Sequence, residues 1–571
     1  MSFLFLDLET MRFDPKSKKP DYHRDQIVTV QFLTESGEFY IIEGEELNDL
    51  SEYKELFESF TVVGHNLKFD CGMLKQQYGI NIKSVFDTMI AELTILGGPA
   101  PVNSFKTPEF RNKRGMALSN LVFRYCNGEV LSKGLQCSFR LGEELSKEQI
   151  EYCRKDLEHL PFIMEKQLEK IKTLELESVI ATEMRMIPAI IWLELSGMNY
   201  STERLGEVTA ELEREEKTMR CDLFAAFKTS KINLNSSKDM VKQLNKEGIP
   251  VTSVNVEELA KYEGPLIEQY QEYKKEKHLI TSFSSKFSTY RAETTGRVHA
   301  SFQQYGTKSG RFSCRYPNLQ QQPSKFKKWR TIFTAEPGNL IISCNYSQIE
   351  LKILGEIANE PEFIKAYAAD VDLHTLTASK VFNKPFDSIQ KADKERSIAK
   401  TINFGLNYGM SAKGLMKKLK TVAGIELTEE QAKEYIRAFK GAYPAISRYL
   451  ERISREGAQK RELRNAAGRL LIIGDDKDEG AAVREAMNLP IQSLCADMVK
   501  EALPKIQAKL EPMSVKFINM IHDELVFECK KEQAEEVCST VKTIMEEAGN
   551  RYLKNIPCIA DVSSSDYWKK E

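Results

Sequence analysis

The chain has no Cys-x-x-Cys pair, no long apolar run, no internal repeat, no low-complexity tract and no large excess of either charge. Each absence excludes something. The eleven cysteines, an odd number scattered from Cys71 to Cys558, form neither a disulfide framework nor a structural zinc motif, which points to a reducing compartment. No apolar stretch reaches the ~18 residues of a membrane span, and Met1 runs almost directly into an extended segment. Neither an anchor nor a leader peptide is therefore expected, and the reading is a soluble cytoplasmic protein. With a net charge of −2 and 29% charged residues, any surface for a polyanion has to be local. At 571 residues the chain has material for about three or four domains.

Through roughly the first 175 residues, short strands (Phe3 to Leu6, Ile27 to Leu33, Glu38 to Ile42) mix with helices, as in an α/β domain. From Leu174 the pattern turns helical. Thr202 to Phe227 reads as one long amphipathic helix and Val256 to Ile280 as a second, with turn-prone Asn233 to Lys238 between them, which suggests a projecting arm. A polar stretch from Arg291 to Pro323 follows, then a strand ending at Asn345 and helices to about Gly457. A turn region from Gly468 to Asp476 comes next, then a hairpin over Phe517 to Phe527 with Asp523 and Glu524 at its tip.

Acids stand out at the N-terminus. An extended Ser2 to Thr10 puts Asp7 and Glu9 on one face. Asp70 follows near a predicted helix start. Ser146-x-x-Gln149 reads as a capping box opening a helix on which Tyr152 and Asp156, four residues apart, share a face. There the phenol could orient a water beside a carboxylate. Singly, each acid reads as a cap or a solvated charge; together, Asp7, Glu9, Asp70 and Asp156 make a set able to hold two divalent cations. Phe5-Leu6-Asp7-Leu8-Glu9-Thr10, Asn66-Leu67-Lys68-Phe69-Asp70, Phe86-Asp87-Thr88-Met89 and Tyr152-Cys153-Arg154-Lys155-Asp156 resemble the DEDDy 3′→5′ proofreading exonucleases. The resemblance implies an RNase H-like domain over residues 1–178 that trims single-stranded 3′ ends.

A second set lies further on. Arg396, Lys400, Phe404 and Tyr408 recur every fourth residue, so one helical face would carry two cations and then two rings, which suits a nucleoside triphosphate. The plainer alternative is an amphipathic helix with basic surface residues and buried rings. Thr307 to Ser313 and Pro317 to Pro323 carry amides and hydroxyls able to follow a nucleic-acid backbone and minor groove. Lys325-Phe326-Lys327-Lys328-Trp329-Arg330 supplies a local basic patch with interleaved aromatics, and Lys413, Lys417, Lys418 and Lys420 another.

With Leu340 to Leu351 and the acidic hairpin, these segments resemble family A DNA polymerases, the group of bacterial DNA polymerase I, from about Met184 to the C-terminus. The resemblance implies a right-hand polymerase over residues 179–571, with a thumb near 200–290, a palm near 291–352 and 485–571, and fingers near 353–484. It further implies magnesium (or manganese), deoxynucleoside triphosphates, primer-template DNA and a monomer, in a bacterium or a phage-infected host. Arg396, Lys400 and His374 would meet the incoming triphosphate, with Lys400 as proton donor to the leaving pyrophosphate. Phe404 and Tyr408 would form the sugar and base side of the pocket, with Gln348 beside it and Glu350 excluding a 2′-hydroxyl. Arg311, Asn318, Gln320, Lys328, Arg484, Asn488, Gln492 and His522 would contact primer and template. No 5′-nuclease activity is expected.

One residue departs from that pattern. The family places an aspartate at Asn345, where with Asp523 and the Tyr346 carbonyl it holds the metal ions. An amide offers an oxygen but no charge. The expectation is polymerisation crippled by at least ~10² to 10³-fold with exonuclease and DNA binding spared. So near-isosteric an exchange reads as an engineered inactivation, with natural divergence as the alternative. Two other readings stay open: a DNA-gripping exonuclease with a non-catalytic polymerase-like body, and a binding protein with both sites dead, which the complete acid set opposes.

Overall fold

Phe3–Met11 (β1) is apolar on both faces up to Leu6, and it forms the central strand of a sheet. The computed structural model describes residues 2–17, 19–99, 115–131, 134–323, 326–406, 408–474 and 477–569. Gln26–Thr34 (β2), Phe39–Glu43 (β3), Thr61–Gly64 (β4) and Val85–Asp87 (β5) complete that sheet in the order β3-β2-β1-β4-β5. β2 runs antiparallel to β1, whereas β4 and β5 run parallel to their neighbours through helical crossovers. Lys68–Tyr78 (α1) and Lys147–Glu158 (α2) pack beside it, α2 opening with the predicted reciprocal Ser146/Gln149 cap. This is the α/β, RNase H-like arrangement expected.

Glu177–Ser196 (α3) exposes Ser178, Ala181 and Arg185 along its first half but is buried on every side from Met186 to Leu193, where it is apolar all round. Val179, Ile180, Met184, Ile187 and Ile191 enter the N-terminal core, while Met186, Ile190, Trp192 and Leu193 enter the larger C-terminal one. The boundary expected at 178/179 thus falls in the first turn of a helix that both cores share.

The arm has its own small core around Leu223, Leu244, Tyr270 and Tyr273. Its first helix, Thr202–Ala226, matches expectation. Its second does not: Gly264, with φ of 139°, and Pro265 divide the predicted Val256 to Ile280 into Val256–Leu259 and Pro265–Leu279. A further helix, Ser237–Lys246, begins inside the predicted turn because Ser236 caps it.

Ser301–Gln303 (β6) and Ser313–Arg315 (β7) pair as an antiparallel two-stranded sheet, ahead of the second large sheet in sequence. That sheet is antiparallel, built from Asn339–Tyr346 (β8), Lys516–Ile521 (β11), Glu524–Lys530 (β12) and Ala560–Ser565 (β13) in the order β11-β12-β8-β13. Between these segments in sequence, Glu462–Arg464 (β9) and Leu470–Ile472 (β10) pair where a turn region was expected. That region's end, residues 475–476, lies outside the described residues, as does Lys325 of the basic patch.

Ala534–Asn550 (α8) packs on this sheet, Ile349–Ala358 (α4) packs on Glu479–Leu510 (α7), and Leu373–Phe382 (α5) and Lys394–Leu406 (α6) pack on each other. α6 stops at Leu406, so Tyr408 is not a fourth step on its face. The Tyr408 and Gly409 amides turn back to the Gly405 and Leu406 carbonyls, with Gly409 at φ of 62°. All eleven cysteines are free. Among the described residues no helix is long and apolar enough to cross a membrane.

Candidate active sites

β1 delivers Asp7 and Glu9, α1 delivers Asp70 and α2 delivers Asp156. Ligand oxygens of Asp7, Glu9 and Asp156 lie within 4.8 Å of one another. Asp70, only 3% exposed, docks on β1 by accepting the Leu8 amide at 3.1 Å. Asp87 instead shapes the backbone, accepting the amides of Asn66, Leu67, Met89 and Ile90. It thereby fixes the turn, with Asn66 at φ of 64°, that starts α1 and aims Asp70.

Burial and mutual repulsion push the acids toward their protonated forms. Asp7 rises to about 7 through burial and the charge of Asp156, and Glu9 to about 10 through burial and then Asp7, Asp156 and Asp70. Asp70 lies well above the usual range, through burial and Asp7. The largest charge effects on these groups come from other acids and a thiol, so hard oxygen donors converge. Such a donor set fits divalent cations. Tyr152 hydrogen-bonds Asp156, and burial together with that anion raises the phenol, which stays protonated. The acids line a cleft of about 950 Å³ whose opposite wall, Phe302 to Tyr305, comes from the C-terminal half.

In the second sheet, Asn345 stands in register between Glu524 of β12 and Asp561 of β13. Its Nδ2 donates to the Tyr346 carbonyl at 3.0 Å. That carbonyl is the one expected to face a metal. The two hairpin acids diverge in role. Asp523 occupies the turn after His522, whose φ is 58°, and burial pushes it up to about 6 against the pull of Arg311. Glu524 begins β12 and is committed to the fold: its Oε1 accepts from Ser343 and from Trp568 Nε1, both at 2.8 Å, and Oε2 lies 3.8 Å from Arg330.

Next to Asp523, Glu350 is clamped. Arg311 pairs with its Oε1 at 2.7 Å, the Tyr408 hydroxyl donates to Oε2 at 2.5 Å, and Gln492 hydrogen-bonds Tyr408. Gln348, at φ of 51°, accepts from the Tyr367 hydroxyl at 3.4 Å. On α5 and α6, Arg396 reaches Asp372 at 2.7 Å, the Phe404 ring lies 5.6 Å from that of His374, and Lys400 is exposed. Asn403 Nδ2 donates to His374 Nδ1 at 2.9 Å, which leaves the ring proton on Nε2; burial holds His374 down at about 4. Arg484, Asn488 and Gln492 follow one another along a single face of α7.

Not every candidate joins these groups. Asn318 spends its side chain capping the amides of Gln320 and Gln321, Gln320 itself donates to the Met520 carbonyl at 3.3 Å, and Lys328 pairs with Glu211 of the arm at 2.5 Å. Conversely, the sequence reading overlooked Asp372, Asp561 and Gln31. Only Asp372 left a local trace, as an N-cap ahead of Leu373.

Two family models match the chain: "DNA polymerase family A" over residues 202–570 and "3'-5' exonuclease" over residues 3–171. Among relatives, DNA polymerase I of Aquifex aeolicus is 28% identical over all of this chain and 96% of its own length. That of Pseudomonas aeruginosa is 27% identical over 98% of this chain, and that of Caldicellulosiruptor bescii 31% over 68%. The chain spans only 64% and 46% of those two proteins. The polymerase domain of Pol1 from M. smegmatis, solved in complex with DNA primer-template and dNTP, superposes with a TM-score of 0.81. It covers 99% of this chain and 95% of its own at 19% identity, a likeness of fold. With a matching model spanning well over half its length, the chain belongs to DNA polymerase family A and carries a 3′-5′ exonuclease domain ahead of the polymerase domain.

Proposed function

We propose that this chain is a templated DNA polymerase of the DNA polymerase I type whose proofreading site is complete and whose polymerising site is disabled at Asn345. The observation that carries this reading is the contrast between the two donor sets: clustered carboxylates in one, and in the other an amide whose nitrogen is bound to its own neighbour's carbonyl.

In the exonuclease site, Asp7, Glu9, Asp70 and Asp156 would hold magnesium, with manganese as substitute. The ions supply charge neutralisation at the scissile phosphodiester and acidify water. Tyr152, protonated and bound to Asp156, orients the attacking water. The cleft lining at Phe302 to Tyr305 would flank the single-stranded 3′ end.

In the palm, Asp523, Asn345 and the Tyr346 carbonyl fit a pair of divalent cations poorly, because one anion is missing and the amide nitrogen occupies the carbonyl. The surrounding machinery still suits a deoxynucleoside triphosphate. Arg396 would exchange Asp372 for phosphate, His374 would donate from Nε2, and Lys400 would protonate the leaving pyrophosphate. Phe404 and Tyr408 pack the base and sugar, Gln348 lies alongside, and Glu350, immobilised by Arg311 and Tyr408, excludes a 2′-hydroxyl. Arg484, Asn488, Gln492 and His522 would contact primer-template DNA, with Asn318, Gln320 and Lys328 giving up their present partners to join them, in a monomer.

Primer extension compared with Asn345→Asp tests this. The chain should trim single-stranded 3′ ends yet extend a matched primer at least ~10² to 10³-fold more slowly than Asn345→Asp. Equal extension by the two overturns the reading. Trimming without extension in both would favour a DNA-gripping exonuclease with an inert body.

A further inference from the structure

The exonuclease reading requires Asp7 to present one oxygen to a cation, and the structure shows what holds the other. Asp7 lies directly opposite Gln31 across the β1–β2 pair, and Glu9 opposite Thr29. Opposed residues project from the same side of a sheet, so the two polar residues of β2 stand beneath the two acids of β1. Thr29 and Gln31 are both 0% exposed. Gln31 Nε2 donates to Asp7 Oδ2 at 2.8 Å, and the Thr29 hydroxyl donates to Gln31 Oε1 at 2.6 Å.

With Asp7 ionised, as a cation ligand is, the polarity of this run is fixed. An ionised carboxylate only accepts, so Gln31 must turn its NH2 toward Asp7. Its carbonyl oxygen then faces Thr29, whose one hydrogen goes there. Donors thus run in one direction, from Thr29 through Gln31 of β2 to the first acid of β1. Gln31 sits between buried Val30 and Phe32, where an amide serving no partner would be costly.

We propose that Gln31, backed by Thr29, is a positioning residue of the exonuclease site. It occupies Asp7 Oδ2, sets the rotation of that carboxylate, and leaves the other oxygen for the cation shared with Glu9 and Asp156. This rests on the exonuclease reading and adds to it the group that makes Asp7 a one-oxygen ligand.

Gln31→Leu keeps volume and removes both polar atoms; Thr29→Val removes only the hydroxyl. Mn2+ binding to the full chain is read by electron paramagnetic resonance, counting the binding that Asp7→Ala abolishes. Release of 3′ nucleotides from a single-stranded oligonucleotide is titrated with Mg2+, and melting in EDTA reports folding. Gln31→Leu should weaken Mn2+ binding and raise the half-saturating Mg2+ by about 10- to 100-fold, while turnover at saturating Mg2+ changes far less. Thr29→Val should shift both in the same direction by a smaller factor. Unchanged metal dependence in folded Gln31→Leu overturns the proposal, and so does lost turnover at unchanged metal affinity. If Gln31→Leu fails to fold, Thr29→Val decides by the same criteria. A parent chain that trims nothing at any Mg2+ concentration would count against the exonuclease reading instead, and the Mn2+ measurement would still judge Gln31.

Discussion

At Asn345 one atom separates an amide from a carboxylate, and the side chain keeps its place in the strand. Its nitrogen binds the next residue's carbonyl at 3.0 Å, a bond that an aspartate, having no hydrogen to give, would not make. Restoring the acid should therefore return an anion and free a carbonyl together, which is why a large gain in extension is expected from Asn345→Asp. The exonuclease acids make the opposite case, anions crowded against one another. Unfolded carboxyl groups titrate near 4, but folded Asp7 does so at about 7 and Glu9 at about 10. Between those values the native state holds more protons than the unfolded one. The stability these groups contribute is thus full below about pH 4 and is lost as pH rises through the folded values, by up to about 1.4 kcal/mol per pH unit for each proton. In EDTA the melting temperature should fall from roughly pH 5 to pH 8, Mg2+ should flatten the slope, and Asp7→Asn should remove much of it. A flat profile in EDTA would speak against acids held together by protons.

Local elements were the most readable scale. β1, the hairpin β11–β12 and α2 stand where alternation and capping put them, because each is fixed by neighbours a few residues away. The cap of α2 is reciprocal, Ser146 Oγ accepting the Gln149 amide at 3.2 Å and Gln149 Oε1 the Ser146 amide at 2.9 Å. Ser146→Ala should cost about 1 kcal/mol locally, read as roughly fivefold faster amide exchange over the first turn of α2. Exonuclease activity should change little, since Tyr152 and Asp156 lie in later turns; a collapse of activity would mean that the cap positions the site. Where elements were misread, the reason is equally local. Gly264 and Pro265 broke a periodic pattern, and the turn at Gly405 to Gly409 carried Tyr408 off its predicted helical face and onto Glu350.

At the scale of the molecule, the two halves are joined by α3 and by a buried charge network. Arg469 meets Glu183 of α3 and Asp497 of α7 at 2.5 Å each, Lys500 meets Glu183 at 2.6 Å, and Gln304 of the exonuclease cleft wall donates to Glu183 at 2.7 Å. The Arg469 side chain also packs on Gly310, next to Arg311, which pairs with Glu350. Arg469→Met would leave two carboxylates buried with only Lys500 to offset them and should cost about 3–5 kcal/mol in denaturant unfolding. A loss under about 1 kcal/mol would mean that the network relaxes or hydrates freely. The strand that bears Asp7 and Glu9, the helix that bears Tyr152 and Asp156, the hairpin ahead of Glu524 and the amide at Asn345 were all legible along the chain, since hydrophobic period, caps and residue type act at short range. Which acids come within 4.8 Å of one another, which carboxylate bonds Ser343 and Trp568, and which amide bonds Asp7 emerge only in the tertiary structure. Register, burial and the pairing of charges distant in sequence exist only once the sheets and helices have closed on one another.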